Sequence, residues 1–313
     1  MKAVFLDRGS FPEDIKIPMP ESVKETQFFH NCNHENVLER IQDADIVMSN
    51  KVILSRQTLA QCPNLKLVQV MATGTNNVDL QACQDLGIAV QNVAGYSTVS
   101  VPEHTFAMML ELRRNLTRYR EAIKQGRWAE CEFFGFLDFP LNDLANSTLC
   151  LLGKGSLGNR VAEIARAFGM KVIFAEHRGA ETVRDGYMDF NEAIKAADVV
   201  SLHCPLTDST RNVIDKDVFA LMKPTAIVIN TGRGGLVNEE DLVEAIKTER
   251  IAGAGFDVAT VEPMPMNHVL QSIAHLPNFI LTPHVAWASE YSMARLLQIA
   301  CDNMASFIEQ QTQ

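Results

Sequence analysis

Three polar side chains stand where buried apolar runs end. Ile227-Val228-Ile229-Asn230 empties into Thr231-Gly232-Arg233-Gly234-Gly235, a glycine-rich turn with one arginine. Gly253–Val258 is followed by Ala259-Thr260-Val261-Glu262-Pro263, and Phe279–Thr282 by Pro283-His284. A guanidinium fork suits a substrate carboxylate. A carboxylate beside an imidazole sets its tautomer and favours its protonated form. Such an imidazolium can protonate a developing alkoxide and take the proton back in reverse. Singly, Arg233 reads equally as a surface ion pair, Glu262 as a solvated acid and His284 as a core histidine. Ligands of open parallel sheets bind beyond the carboxyl ends of strands, so the three together form a candidate constellation.

A second motif lies upstream. The apolar run Leu149-Cys150-Leu151-Leu152 meets Gly153-Lys154-Gly155-Ser156-Leu157-Gly158, and helix-period sequence follows at Val161, Ile164, Ala165 and Phe168. Gly153 would make the tight turn, Gly155 would let a pyrophosphate approach the backbone, and Gly158 would let helix and strand pack closely. The helix N-terminus offers N–H groups to the phosphates. The next strand, Lys171–Ala175, ends in Glu176, placed to bind the adenosine ribose hydroxyls. That acid favours NAD, because it repels a 2′-phosphate. Arg178, two residues on, leaves NADP possible.

The elements that would position these motifs follow a regular rhythm. Short β-branched runs at Ala3–Asp7, Asp45–Ser49, Leu67–Met71, Ile88–Asn92, Thr148–Leu152, Lys171–Ala175, Val199–His203, Ala226–Asn230, Gly253–Val258 and Phe279–Thr282 alternate with helical segments. Most are continuously apolar, as strands covered on both faces are. The pattern predicts an α/β protein with two doubly wound parallel-sheet domains. The first four strands are expected in one domain, with Ser97–Gln125 as a single long helix crossing to the next. A final helix, Ser289–Glu309, is expected to return to the first domain. The expected division is therefore 1–96 plus 289–313 against 97–288, with a small-molecule site in the cleft.

Composition narrows the function classes. The chain has 313 residues and 28 Lys+Arg against 38 Asp+Glu, a formal charge of −10, which argues against general nucleic-acid or anionic-membrane binding. No apolar run approaches the roughly 20 residues that span a bilayer. Seven scattered cysteines without a Cys-x-x-Cys pair read as reduced thiols in the cytoplasm, with no metal site. His30, Cys32 and His34 lack a further ligand. The aromatic string Phe133, Phe134, Phe136 and Phe139 is a candidate dimer contact.

In order and spacing these motifs resemble the D-isomer-specific 2-hydroxyacid dehydrogenases, over nearly the whole chain. Ala72-Thr73-Gly74-Thr75-Asn76-Asn77-Val78-Asp79 looks like the family's substrate-domain loop, and Val101-Pro102-Glu103-His104-Thr105 opens its crossing helix. The resemblance implies a Rossmann dinucleotide-binding domain and a flavodoxin-like substrate domain. It implies that Arg233 binds the substrate carboxylate and carbonyl and that Glu262 supports His284 as proton donor and acceptor. Thr73 and Gly74 would hold the carboxylate through their backbone. Ser156 and Leu157 would lie at the pyrophosphate, Cys204 and Pro205 near the adenosine, and Thr231, Gly232 and Asp257 near the nicotinamide. A homodimer is implied too. The Thr73 loop and His284-Val285-Ala286-Trp287-Ala288-Ser289 look most like glycerate dehydrogenases, that is, hydroxypyruvate reductases. Glyoxylate, lactate and phosphoglycerate types stay open, as does a dinucleotide-bound corepressor of the C-terminal binding protein kind. Pro102 and Lys154 depart from the usual pattern. Lys154 is expected either near the pyrophosphate or in solvent. Trp287 either walls the pocket or packs the last helix.

Overall fold

A computed structural model of the chain describes residues 1–311. It resolves into two compact units, one comprising Met1–Ser97 with the segment from Ala288 onward, the other Thr98–Trp287. The expected segment 289–313 runs into residues 312 and 313, which lie outside the described residues.

The first unit carries strands β1 (Lys2–Phe5), β2 (Glu25–Phe28), β3 (Ile46–Ser49), β4 (Leu67–Val70) and β5 (Ala89–Gln91), with short helices α1 (Val37–Ile41), α2 (Arg56–Leu59) and α3 (Leu80–Asp85). All pairings are parallel, in the order β2-β1-β3-β4-β5. This is the flavodoxin-like order. Here the sequence reading needs correction, since the sheet has five strands rather than four. The missing strand, β2, is Glu-Thr-Gln-Phe at the sheet edge and only partly covered. It lacks the continuous apolar run that marks a buried strand. By contrast β3 and β4 are buried at every position.

The second unit begins with α4 (Ser100–Arg114) and α5 (Leu116–Lys124). The expected single helix is thus broken, at Asn115, whose φ of +51° takes the left-handed conformation. Asparagine tolerates that region better than most side chains, so no glycine or proline announces the break. Then come β6 (Thr148–Leu152), α6 (Ser156–Ala167), β7 (Lys171–Phe174), α7 (Phe190–Ala196), β8 (Val199–Leu202), α8 (Lys216–Leu221), β9 (Ile227–Asn230), α9 (Glu239–Lys247), β10 (Gly253–Phe256) and β11 (Phe279–Leu281). The six strands are parallel in the order β11-β10-β9-β8-β6-β7. The order reverses between β6 and β8, which is the switch point where doubly wound sheets open a ligand crevice. Strands β8 and β9 are buried throughout, and α7, α8 and α9 cover them with Ile194, Phe219, Leu242 and Ile246.

The last helix, α10 (Glu290–Gln311), belongs to the first unit and packs on β4. It buries Met293, Leu296, Leu297, Ala300, Met304, Phe307 and Ile308, a stripe at helical spacing. Among the described residues no helix is long and apolar enough to cross a membrane.

Candidate functional site

The glycine loop sits at the switch point. Gly153 follows β6 at φ +109°, and a Cβ there would lie 2.6 Å from the His203 carbonyl carbon and oxygen. A Cβ on Gly158 would lie 2.1 Å from the Gly153 oxygen. Both positions therefore exclude any side chain. Gly155 differs: a Cβ there meets nothing within 4 Å. It caps α6 without a side-chain hydrogen bond, and the first turn, Ser156-Leu157-Gly158, carries no acid. Helices α3, α7 and α8 instead begin on aspartates that accept a first-turn N–H. An uncapped N-terminus beside an open glycine is a seat for an anion, so the loop fits a dinucleotide pyrophosphate.

Leu202-His203-Cys204-Pro205 continues β8 against this loop, the Cys204 nitrogen 2.7 Å from the Cβ that Gly153 lacks. Burial pushes the Cys204 thiol up to about 11, so it is no nucleophile at neutral pH. Thr210 donates to the Pro205 carbonyl at 2.7 Å and fixes the turn. His203 is half-buried with its Nδ1 enclosed. Its Nε2 pairs with Ser201 Oγ at 2.9 Å, Nδ1 has no partner among the described residues, and desolvation holds its pKa down to about 4.

At the end of β7, Glu176 is buried, and its carboxylate is taken by Arg184, at 2.6 and 2.7 Å. The Arg184 guanidinium beside it pulls its pKa down to about 2. Arg178, expected as a possible phosphate ligand, is paired with Asp215 at 2.7 Å. Lys154 is exposed, the second of its two expected places, and lies against aromatic rings. Its Nζ lies 5.0 Å from the Phe174 ring centroid and 4.9 Å from that of Tyr187.

The polar residues beyond β9, β10 and β11 form a connected structure. Buried Asn230 accepts from the Gly232 N–H at 3.1 Å and donates to the Arg233 carbonyl at 2.9 Å, closing the turn. Gly234 packs so tightly that a Cβ would lie 2.1 Å from the Ala259 oxygen. The Ala259 N–H donates to Glu262 Oε1 at 3.0 Å, and Glu262 Oε2 accepts from His284 Nδ1 at 2.7 Å. The Arg233 loop, the Glu262 turn and His284 are thus linked contact by contact. Arg233 is half-buried, and the only hydrogen bond of its side chain among the described residues goes to the Gly232 carbonyl, at 2.8 Å. No carboxylate neutralises it there. With Nδ1–H held by Glu262, the His284 nitrogen left for chemistry is Nε2.

Several supports were not evident in the sequence. Buried Asp257 accepts from Thr282 Oγ1 at 2.5 Å, from the Val285 N–H at 2.9 Å and from the Ala286 N–H at 2.8 Å. Its carboxylate thus turns to the histidine loop. His104 Nε2 meets Thr282 Oγ1 at 3.0 Å and lies 3.7 Å from Asp257. Glu239, buried at the start of α9, accepts from the Thr260 N–H and hydroxyl and pairs with His268 at 3.3 Å, anchoring the turn before Glu262. Thr231 spends its hydroxyl on Thr105 of α4, at 3.0 Å. Trp287 Nε1 donates to the His284 carbonyl at 3.0 Å. Acids and hydroxyls of this kind resemble helix caps in sequence; only their partners give them a role.

In the first unit, Thr73 and Gly74 follow β4. Thr73 Oγ1 donates to the Val93 carbonyl at 2.9 Å, and Asn92 donates to the Thr73 carbonyl at 2.6 Å. These bonds fix the loop and leave the N–H groups of both residues without an acceptor among the described residues.

Comparison with known proteins identifies the family. Residues 106–286 match the D-isomer specific 2-hydroxyacid dehydrogenase, NAD binding domain. A Haemophilus influenzae protein named for the 2-hydroxyacid dehydrogenases is 43% identical over 311 residues, 99% of each chain. A glycerate dehydrogenase of Methylorubrum extorquens is 41% identical over 98% of this chain and 96% of its own. The D-lactate dehydrogenase of Aquifex aeolicus, solved with NAD and lactic acid, superposes with a TM-score of 0.82 at 26% identity, covering 98% of this chain and 96% of that one. With a dinucleotide loop at its switch point and an acid-backed histidine beyond its sheet, the chain belongs to the D-isomer specific 2-hydroxyacid dehydrogenase family and binds NAD through its second unit.

Proposed function

We propose that the protein interconverts hydroxypyruvate and D-glycerate. The observation that carries a 2-keto or 2-hydroxy acid reaction is the 2.7 Å pair of His284 Nδ1 and Glu262 Oε2, joined through Ala259 and Gly234 to the unneutralised Arg233. The choice of substrate is supported by 41% identity to a protein named glycerate dehydrogenase and 35% to one named hydroxypyruvate reductase.

NAD(H), when bound, would supply hydride-transfer chemistry at substrate C2. Arg233 binds the carboxylate with its fork and polarises the carbonyl. His284 delivers a proton from Nε2 as the alkoxide forms and recovers it in reverse, while Glu262 holds the tautomer and stabilises the imidazolium. The N–H groups of Thr73 and Gly74, without an acceptor among the described residues, support reading the first unit as the substrate domain. Gly153, Gly155, Ser156, Leu157 and Gly158 would cradle the pyrophosphate. Glu176, Cys204 and Pro205 would line the adenosine end, and Thr231, Gly232 and Asp257 the nicotinamide end.

A homodimer forms in this reading through residues 126–144 of the second unit, where Phe133, Leu137 and Phe134 (98% exposed) stand in solvent. The seven free cysteines support a cytoplasmic location. A panel of hydroxypyruvate, glyoxylate, pyruvate and 3-phosphohydroxypyruvate, each with NADH and NADPH, tests the assignment. Highest kcat/KM is expected for hydroxypyruvate. A decisive preference for another acid would reassign the substrate, and no turnover on any would return the chain to the corepressor class.

A further inference from the structure

The adenosine end of the cofactor site carries an arrangement that an acid at the end of β7 does not by itself predict. Glu176 Oε1 accepts from the His177 N–H at 2.8 Å and from Arg184 Nη2 at 2.6 Å. Oε2 accepts from the Arg184 N–H at 3.1 Å and its Nε at 2.7 Å. An ionised carboxylate has about four acceptor directions, and four donors already occupy them. Only 2% of the Glu176 side chain is exposed, against 52% of Arg184. The acid is saturated, and the surface it leaves belongs to its partner.

That surface is cationic. The Arg184 guanidinium stacks on Tyr187, 4.1 Å from the ring centroid, and its Nη1 makes no hydrogen bond among the described residues. Lys154, from the glycine loop, brings Nζ to 4.9 Å from the same ring and has no ion-pair partner among the described residues. One carboxylate is thus set against two cations that share an aromatic ring. Arg178 adds nothing to this balance, because Asp215 neutralises it.

We propose that Arg184 is the residue that sets cofactor specificity: by pairing with Glu176 it neutralises the charge that would reject a 2′-phosphate, and with Lys154 it offers that phosphate donors, so the protein accepts NADPH as well as NADH. The inference rests on the reading that Glu176 lies at the adenosine ribose. NAD binding needs no loss of the pair, since the pyrophosphate and nicotinamide ends are unaffected. The ribose hydroxyls then meet the guanidinium edge instead of the acid.

The test is the dissociation constants of NADH and NADPH, read from cofactor fluorescence, with kcat/KM for each, in the wild type, Arg184→Ala, Arg184→Gln and Glu176→Ala. The wild type is expected to bind the two cofactors within about tenfold of each other. Arg184→Ala and Arg184→Gln free the carboxylate to accept ribose hydroxyls and repel the phosphate. Both should shift the ratio of dissociation constants toward NADH by about tenfold or more, the effect of one charge-assisted contact. The glutamine variant keeps the side chain's bulk, so agreement between the two separates specificity from local unfolding. An unchanged ratio in both, or a shift toward NADPH, overturns the role of Arg184. Glu176→Ala separates the layers. If it moves the ratio while the Arg184 variants do not, only the Arg184 inference fails. If it leaves both constants untouched, Glu176 is not at the ribose, and the reading beneath fails too.

Discussion

Asp257 brackets His284 from both sides. Its carboxylate accepts from the Thr282 hydroxyl before the histidine and from the N–H groups of Val285 and Ala286 after it, while His284 itself sits at φ +55°. A non-glycine residue in that left-handed region is held at a cost of about 1–2 kcal/mol. The three bonds to one buried carboxylate supply the restraint that keeps it there. Asp257→Asn would turn an amide N–H toward the N–H of Ala286 or Val285. The variant should lose about 1–3 kcal/mol of stability and at least tenfold in kcat. Full activity in a destabilised variant would show that the loop does not need the carboxylate to aim the histidine.

The Glu262–His284 pair makes a separable prediction. His284→Ala should lower kcat by about 10²–10⁴, the usual share of a positioned acid–base group. Glu262→Gln should cost less, because the imidazole remains and only its support changes. The measurement is the steady-state rate beside NADH binding in each variant. Equal losses in both would mean that His284 cannot work at all without its acid.

Arg233→Lys keeps the charge and removes the fork. An ammonium cannot make two parallel bonds to a carboxylate. kcat/KM for the keto acid should fall by about ten- to a hundredfold, with the dissociation constant of NADH preserved. A lysine enzyme as good as the wild type would place the carboxylate elsewhere.

The demands on the first and second glycines of the loop can be told apart. Gly153→Ala meets the His203 carbonyl at 2.6 Å in a backbone conformation with φ +109°. It should destabilise the fold by roughly 2–4 kcal/mol or prevent folding. Gly155→Ala points into open space at an ordinary φ of −78°. Its melting temperature should match the wild type, while NADH binding weakens about tenfold or more, because the new methyl stands where the pyrophosphate approaches. Calorimetry with cofactor titration checks both; a Gly155→Ala protein with normal affinity would move the pyrophosphate away from that glycine.

His203, its ring nitrogen Nδ1 enclosed, links stability to pH. Burial lowers its pKa in the folded chain to about 4, against about 6.5 when unfolded. Between these values the unfolded chain binds a proton that the folded chain does not. Stability is therefore complete above pH 6.5 and declines as pH falls toward 4, by about 3 kcal/mol in all. Glu176, lowered to about 2, acts in the same direction over a more acid window, from about 4.5 downward. Unfolding free energies between pH 5 and 7 should slope in the wild type and flatten in His203→Gln. An equal slope in both would assign it to other groups.

Much of the fold was legible because burial on both faces leaves a mark in the chain. Runs such as Ile227-Val228-Ile229 and Leu149-Cys150-Leu151-Leu152 must be apolar throughout, and the helices between them must keep a 3.6-residue stripe. The edge strand Glu25–Phe28 pays no such debt to a core and passed unnoticed. The bend at Asn115 rests on one residue's conformation, which several residue types could share. At the candidate site, the glycines were readable because Gly153 and Gly158 exclude a Cβ by contact, and Arg233, Glu262 and His284 because strand ends are where chemistry sits.

Which acid pairs with which cation was left to the tertiary structure. The types and order of the residues determined a doubly wound α/β protein with a dinucleotide loop and an Arg, a Glu and a His beyond three strands. Only the packed molecule decided that Asp257 serves the histidine loop, that Glu239 anchors the turn before Glu262, and that Arg184 rather than Arg178 holds the acid at the end of β7. The reason is physical. Backbone periodicity and steric exclusion act over a few residues and are written locally, whereas a charge chooses its partner by distance in space, which the chain sets only once it is folded.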